Sequence, residues 1–218
     1  MVLALQLGPK ESAATWGALI ESMTRRGLRP PKLMITDGNP GVIKAVKDWW
    51  PQVPRQRCVV HKTRNVLDRV PRKSRGKVKQ ALHKIFYATD LKAAERATEK
   101  FLERFGREFP AACETLARDL GDCLVYFKFP RLHWKRIRST NVIERTFKEV
   151  RRRTKVVGRF PDERAALTLI WASLVQNQIK WRGIKVDDEL LREASEAAQK
   201  TAKSPLRIKC ARKYLEVA

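Results

Sequence analysis

Hydrophobic and polar positions follow two different periods along the first sixty residues. Residues 2–7 are apolar at most positions and are closed by Gly8-Pro9, the pattern of a strand. Within residues 12–26, Ala13, Trp16, Leu19, Ile20 and Met23 recur near a 3.6-residue period, which predicts a helix with Gly27 as its C-terminal cap. Residues 32–36 read as a short buried strand ending at Asp37-Gly38, and residues 40–50 as a second helix. After a turn at Pro51 to Pro54, residues 55–60 read as a third strand with His61 at its end. Strand, helix, strand, helix, strand predicts an α/β sheet with parallel neighbours.

From Lys62 onward the period of two disappears. Residues 65–70, 76–87, 91–105 and 110–127 all read as helix, an all-helical insertion without a strand. Residues 140–155 read as a further helix with Ser139 or Thr140 as N-cap. Residues 161–181 carry the apolar stripe Ala165, Leu167, Leu169, Ile170, Trp171, Leu174 and Val175. Trp16 and Trp171, both on such stripes, are expected in the core. Residues 187–202 form a mixed-charge helix, Ser204-Pro205 breaks it, and the last dozen residues read as a basic tail. The longest apolar stretch, residues 165–175, has 11 residues, against roughly 20 for a membrane-spanning helix. Four cysteines at irregular spacing make no disulfide framework and fit a reducing cytoplasm.

Charge changes the picture. The 218 residues carry 47 Lys and Arg against 23 Asp and Glu, a net charge of +24, with 43% hydrophobic residues to supply a core. Residues 55–84 hold 11 basic residues and 1 acidic, and residues 131–160 hold 11 and 2. Between them, residues 85–130 are close to neutral, with 7 basic and 8 acidic. Two concentrated basic blocks point to a polyanionic partner, with nucleic acid as the first candidate; two solvated helix faces with no partner are the alternative.

In so basic a chain the isolated acids stand out. Asp37 directly follows a strand, and open α/β sheets gather ligands at the carboxyl ends of their strands. A carboxylate there offers hard oxygens to a divalent cation; equally, it could only begin the turn or cap the following helix. Glu144 shares a helix face with Lys148, Arg151 and Lys155, at i, i+4, i+7 and i+11. One acid heading a basic stripe suits a metal flanked by phosphate contacts; a plain Glu144–Lys148 surface pair is the alternative. Cys58 and His61 have half of a zinc-site spacing, and the other half is missing. Trp134, set among Arg131, Lys135 and Arg136, either stacks on a base or packs beneath the basic helix.

Four ordered motifs carry a resemblance: Thr36-Asp37-Gly38; Gln56-Arg57-Cys58-Val59-Val60-His61; Thr140-Asn141-Val142-Ile143-Glu144-Arg145; and the run from Arg151 to Pro161. Together they resemble the bacterial Mutator-type transposase family over roughly residues 1–180. The resemblance implies an RNase H-like catalytic core with an all-helical insertion and C-terminal helices. It implies an Asp-Asp-Glu triad that binds two divalent metals, Mg²⁺ or Mn²⁺, for in-line attack on a DNA phosphodiester. By motif match Asp37 is the second Asp and Glu144 the Glu, both catalytic and metal-binding. Cys58 and His61 match a Cys-x-x-His signature that supports the site, as does Asn141. Lys148 and Arg151 are expected on the DNA backbone, with Arg152, Lys155, Arg136, Arg138 and Trp134 completing the DNA-binding set.

The first Asp of such a triad has no counterpart, because Asp37 is the first Asp in the sequence. The expectation is therefore an N-terminally truncated core that binds DNA and is catalytically impaired. Its parts would be a partial core at 1–61, the helical insertion at 62–130, the catalytic-Glu helix and a following core helix at 131–182, and a helical, basic tail at 183–218. Expected partners are transposon-end and target DNA and a second copy in a synaptic homodimer, in the bacterial cytoplasm and on the nucleoid. A non-catalytic basic nucleic-acid-binding protein is the competing expectation; a nuclease or integrase of the same fold is a weaker third.

Overall fold

The computed structural model describes residues 2–8, 10–178, 183–184 and 186–217. In chain order the elements begin α1 (Ala13–Arg25), β1 (Met34–Thr36), α2 (Pro40–Trp49), β2 (Arg55–Arg57), α3 (Val59–Leu67) and α4 (Arg75–Phe86). They continue α5 (Leu91–Phe105), α6 (Pro110–Ala117), α7 (Leu120–Cys123), α8 (Trp134–Ile137), α9 (Asn141–Thr154), α10 (Glu163–Gln178), α11 (Asp188–Lys203) and α12 (Lys209–Val217). The described residues are mostly helical, with one two-stranded parallel sheet in which Ile35 stands opposite Gln56 and Thr36 opposite Arg57. No helix among them is long and apolar enough to cross a membrane.

The chain divides into two compact units. The larger holds residues 32–38, 52–139 and 186–218, and so contains the sheet, α3 to α8, α11 and α12. Its core is continuous from Val66 through Leu82, Phe86, Phe101 and Leu116 to Tyr126. α4 shows how such a helix is specified: Val78, Leu82, Ile85 and Phe86 form its buried face at helical spacing. The phenol of Tyr126 donates to the Phe86 carbonyl at 2.9 Å, so the ring is buried without stranding its hydroxyl.

Two buried polar devices attach the sheet to these helices. Gln56, fully buried on β2, donates from Nε2 to the Cys123 carbonyl at 2.8 Å, and its Oε1 accepts from the Tyr126 amide at 2.8 Å. Asp119, in the link between α6 and α7, accepts from Lys62 of α3 and pairs with Arg57 of β2 at 3.0 Å. Lys62, only 3% exposed, also donates to the Thr115 carbonyl at the end of α6. A charge so buried is tolerated only when paired and hydrogen-bonded.

The smaller unit holds residues 1–31, 39–51 and 140–185, with α1, α2, α9 and α10. α1 packs on α2, where Gly17 meets the Trp49 indole at a distance that leaves little room for a side chain. α9 packs on α10 through the buried face of Thr146, Val150, Ser173 and Leu174.

Several sequence expectations are corrected. Residues 2–8 form no strand: β1 pairs only with β2, and the Leu3 carbonyl accepts from Arg26 Nη2 at 2.9 Å instead of from a ladder. The strand expected at 55–60 stops at Arg57. Cys58 is the N-cap residue of α3, so the β-branched pair Val59-Val60 and His61 lie in the helix, which begins six residues earlier than the predicted 65–70. The helix expected at 110–127 breaks at Arg118-Asp119, where Asp119 turns to its two cations. Trp171 is 42% exposed: α10 is apolar on more than one face, so its pattern does not choose which face is buried. The predicted end of that helix, residues 179–181, lies outside the described residues. The last dozen residues are no tail, since α12 is a helix whose Ala211 joins the larger core beside Ala197 and Ala198 of α11.

Asp119→Asn leaves Lys62 and Arg57 buried without their counter-charge, and lowers stability by about 3–5 kcal/mol. Glu114→Gln, which removes an exposed pair with Arg118, costs under about 1 kcal/mol. Urea denaturation of both variants checks the contrast. Gln56→Leu strands the Tyr126 amide and the Cys123 carbonyl, at about 1–3 kcal/mol for each orphaned group. It appears in the same experiment as a lower midpoint with an unchanged slope.

Candidate functional site

Asp37 stands exposed, one residue past β1. The backbone beneath it is held by the neighbouring strand, because the Cys58 amide donates to the Thr36 carbonyl at 2.7 Å. Gly38 has φ +95°, and a Cβ there would run into the Arg57 guanidinium. Glycine is required twice over, by conformation and by contact. Arg57 is held from below by Asp119 and, at 2.9 Å, by the Asn65 amide oxygen, in the amide orientation that also lets Asn65 donate to the His61 carbonyl at 3.1 Å. The cap of α2 is Asn39, whose Oδ1 accepts from the Gly41 amide at 2.7 Å while its Nδ2 donates to Glu11 at 2.8 Å. Helix capping therefore falls to Asn39, with Glu11 as its support.

Cys58 and His61 lie in the first turn of α3, with the thiol sulfur and a ring nitrogen within 4.8 Å of each other. Cys58 is fully buried and His61 half-buried. The next residue of the turn is anchored as well: the Val59 amide donates to the Arg138 carbonyl at 3.1 Å. The Arg138 guanidinium lies 3.9 Å over the Tyr87 ring. Trp134 is packed: its indole N–H donates to the Phe129 carbonyl at 2.7 Å, and its ring meets Tyr126 and Phe127 edge-on. Arg136, two residues on, is half-buried on α8.

Glu144 and Asn141 belong to the smaller unit, at the start of α9, and both are half-buried. Thr140 Oγ1 donates to Glu144 Oε1 at 3.0 Å. Lys148, Arg151, Arg152 and Lys155 are exposed, and with Arg145 and Glu149 they line a hollow of about 420 Å³. Glu149 is the contrasting acid. It accepts from Arg152 at 2.7 and 3.0 Å and from Arg153 at 3.2 Å, and hydrogen bonding to Arg152 holds its pKa down at about 2. Its role within α9 is thus accounted for by two arginines.

The structure places Asp37, Cys58, His61, Trp134, Arg136 and Arg138 in the larger unit, and Asn141, Glu144, Lys148, Arg151, Arg152 and Lys155 in the smaller. Sequence reasoning missed Arg57, Lys62 and Asp119, which hold the turn bearing Asp37 and the helix bearing His61. A signal for two of them exists, since Arg55-Gln-Arg57 sets charges at alternate positions of an expected strand and Lys62 directly follows the motif ending at His61.

Comparison with known proteins agrees with the motifs. A model of the Mutator family of transposases matches residues 1–183. The transposase of insertion sequence element IST2 from Acidithiobacillus ferrooxidans is 36% identical over 185 residues, covering 84% of this chain and 62% of its own. That of IS6120 from Mycolicibacterium smegmatis is 36% identical over 184 residues, covering 84% and 57%. That of ISRM5 from Rhizobium meliloti is 32% identical over 205 residues, covering 92% and 51%. The chain thus spans between half and two-thirds of the length of these relatives. With the family matched across both units and through every motif that carries the acids, the chain belongs to the Mutator family of transposases.

Proposed function

We propose that this chain is the Asp37- and Glu144-bearing part of an insertion-element transposase that cleaves and rejoins DNA phosphodiesters with Mg²⁺ or Mn²⁺. The observation that carries this reading is the layout of α9, where one acid in the first turn is followed by Lys148, Arg151, Arg152 and Lys155 around an open hollow. In this reading α1, β1, α2 and β2, together with α9 and α10, are part of an RNase H-like core, residues 62–130 are its helical insertion, and the whole protein works as a homodimer on transposon ends and target DNA.

Each carboxylate is of a kind that suits a hard divalent cation. Asp37 offers an exposed carboxylate at the carboxyl end of a strand, and Glu144 a half-buried one at a helix N-terminus. When bound, such cations supply an activated oxygen nucleophile and stabilise charge on the leaving oxygen. The chain's own residues do the rest. The Arg57-supported Gly38 turn presents Asp37, and the Thr140 hydroxyl orients Glu144. Lys148, Arg151 and Lys155, which are not the arginines that hold Glu149, neutralise backbone phosphates. Cys58 and His61 brace the start of α3 beside the β1 terminus.

These 218 residues supply two of the three family carboxylates. Asp37 is the first Asp, and the earlier acid Glu11 is engaged with Asn39. The polypeptide by itself therefore binds duplex DNA in a salt-sensitive way without nicking supercoiled plasmid in Mg²⁺ or Mn²⁺. Nicking that Glu144→Gln abolishes contradicts the two-carboxylate account; failure to bind DNA contradicts the whole reading.

Metal reverses the effect of one substitution. Without divalent metal, Glu144→Gln tightens duplex binding about twofold to threefold, because it removes a negative charge beside phosphates. With Mg²⁺ the same variant binds more weakly than the parent. A non-catalytic nucleic-acid binder gives tighter binding in both conditions, and fluorescence anisotropy with and without chelator separates the two.

A further inference from the structure

The first basic block, residues 55–84, is divided by the fold into an inner and an outer set. Arg55 pairs with Asp122, and Arg57 and Lys62 pair with Asp119, so three of its cations are internal structure. Arg72, Lys73, Lys77, Lys79 and Lys84 are all exposed, in the turn of 3₁₀-helix before α4 and along α4 itself. α4 contains no acid, and its first turn and the turn before it carry cations where the helix dipole favours anions. Asp68, the one acid of the block, lies 3.8 Å from Arg75.

The neighbouring helix shows what an ordinary solvated face looks like in this unit. α5, packed on α4, sets Glu95, Glu99 and Glu103 against Lys92, Arg96, Lys100 and Arg104. Its charges balance along its own length, as exposed helices commonly do. On α4, Lys77, Gln80 and Lys84 fall at i, i+3 and i+7 on the side away from Val78 and Leu82, with Lys73 one turn before. That stripe has no compensating acid of its own.

We propose that this stripe on the larger unit, Lys73, Lys77 and Lys84, is a further DNA-contacting surface, beyond the cations of α9, that binds the phosphate backbone of duplex DNA without reading its sequence. The inference rests on the reading of the chain as a DNA-acting transposase, and adds where the larger unit meets DNA. Lysines are compact point charges suited to backbone phosphates, without the planar fork of arginine. The aromatic groups nearby are engaged: Tyr87 stacks on His83 with centroids 4.1 Å apart and lies under the Arg138 guanidinium. The surface thus lacks the stacking platform by which single strands are held, and the duplex is the fitting form.

The test is duplex binding by the 218-residue chain, measured by anisotropy on a random-sequence 30-base-pair probe across a salt series. The Lys73→Gln/Lys77→Gln/Lys84→Gln variant is set beside Lys148→Gln/Arg151→Gln/Lys155→Gln. All six positions are exposed, and unchanged thermal unfolding confirms that both variants fold. Each lost phosphate contact removes about 0.9 from the slope of log K against log salt, so the α4 variant loses about 2–3 from that slope. Its affinity falls at least tenfold at low salt, equally on unrelated duplexes. An unchanged slope in the α4 variant, with the α9 variant weakened, overturns this inference and leaves the transposase reading standing. Unchanged slopes in both variants overturn the DNA surfaces of both. Loss of single-stranded DNA or RNA binding with duplex binding intact also overturns it.

Discussion

Asp119 is the point on which the larger unit's polar geometry turns. It lies where the chain breaks between α6 and α7 and gathers Lys62 from α3 and Arg57 from β2. Through Arg57 it reaches the Gly38 turn, where the guanidinium fills the space a side chain would need. Through Lys62 it holds the helix that begins with Cys58 and His61. The adjoining β2 and α3, the Gly38 turn that leans on Arg57, and the distant link between α6 and α7 are thus tied through one carboxylate, and the first two carry residues of the family's motifs. Buried pairs of this kind contribute little net stability relative to a well-packed apolar alternative, but losing one partner is costly. Their value here is positional, since they leave the strand-end turn few ways to lie.

That network also changes the meaning of the net charge. A value of +24 suggests a uniformly sticky surface, yet part of the first basic block is internal scaffolding and part of the second is committed to Glu149. What remains outside includes the exposed cations of α9 and the α4 stripe. Repulsion within each patch is tolerable when a polyanion supplies the missing negative charge. The selective pairing of Glu149 and the different setting of Glu144, five residues earlier, show that acids on a single helix hold unlike places.

Much of this was legible in the sequence. α5 falls on its predicted boundaries, and α1, α2, α4, α9 and α11 fall within about two residues of theirs, because their apolar spacing and caps agree. The motifs around Asp37, Cys58, His61 and Glu144 pointed to the family that the comparison found. Elements that depend on distant partners were not legible. Residues 2–7 have the composition of a strand, but a strand exists only where another is there to pair with it. Val59-Val60 favours strand locally, and the bonds from Cys58 to Thr36 and from Val59 to Arg138 turn it into the start of a helix. The break at Asp119 and the exposure of Trp171 follow from tertiary contacts that periodicity does not encode.

The central proposal is that Asp37 and Glu144 are metal ligands and not simply polar surface. The most direct measurement is Mn²⁺ binding by electron paramagnetic resonance, comparing the parent chain with Asp37→Asn and Glu144→Gln and with Glu149→Gln as the control acid. The account predicts bound Mn²⁺ in the parent and in Glu149→Gln, and its loss in each of the other two. Equal Mn²⁺ binding in all four proteins, or loss only in Glu149→Gln, would contradict it.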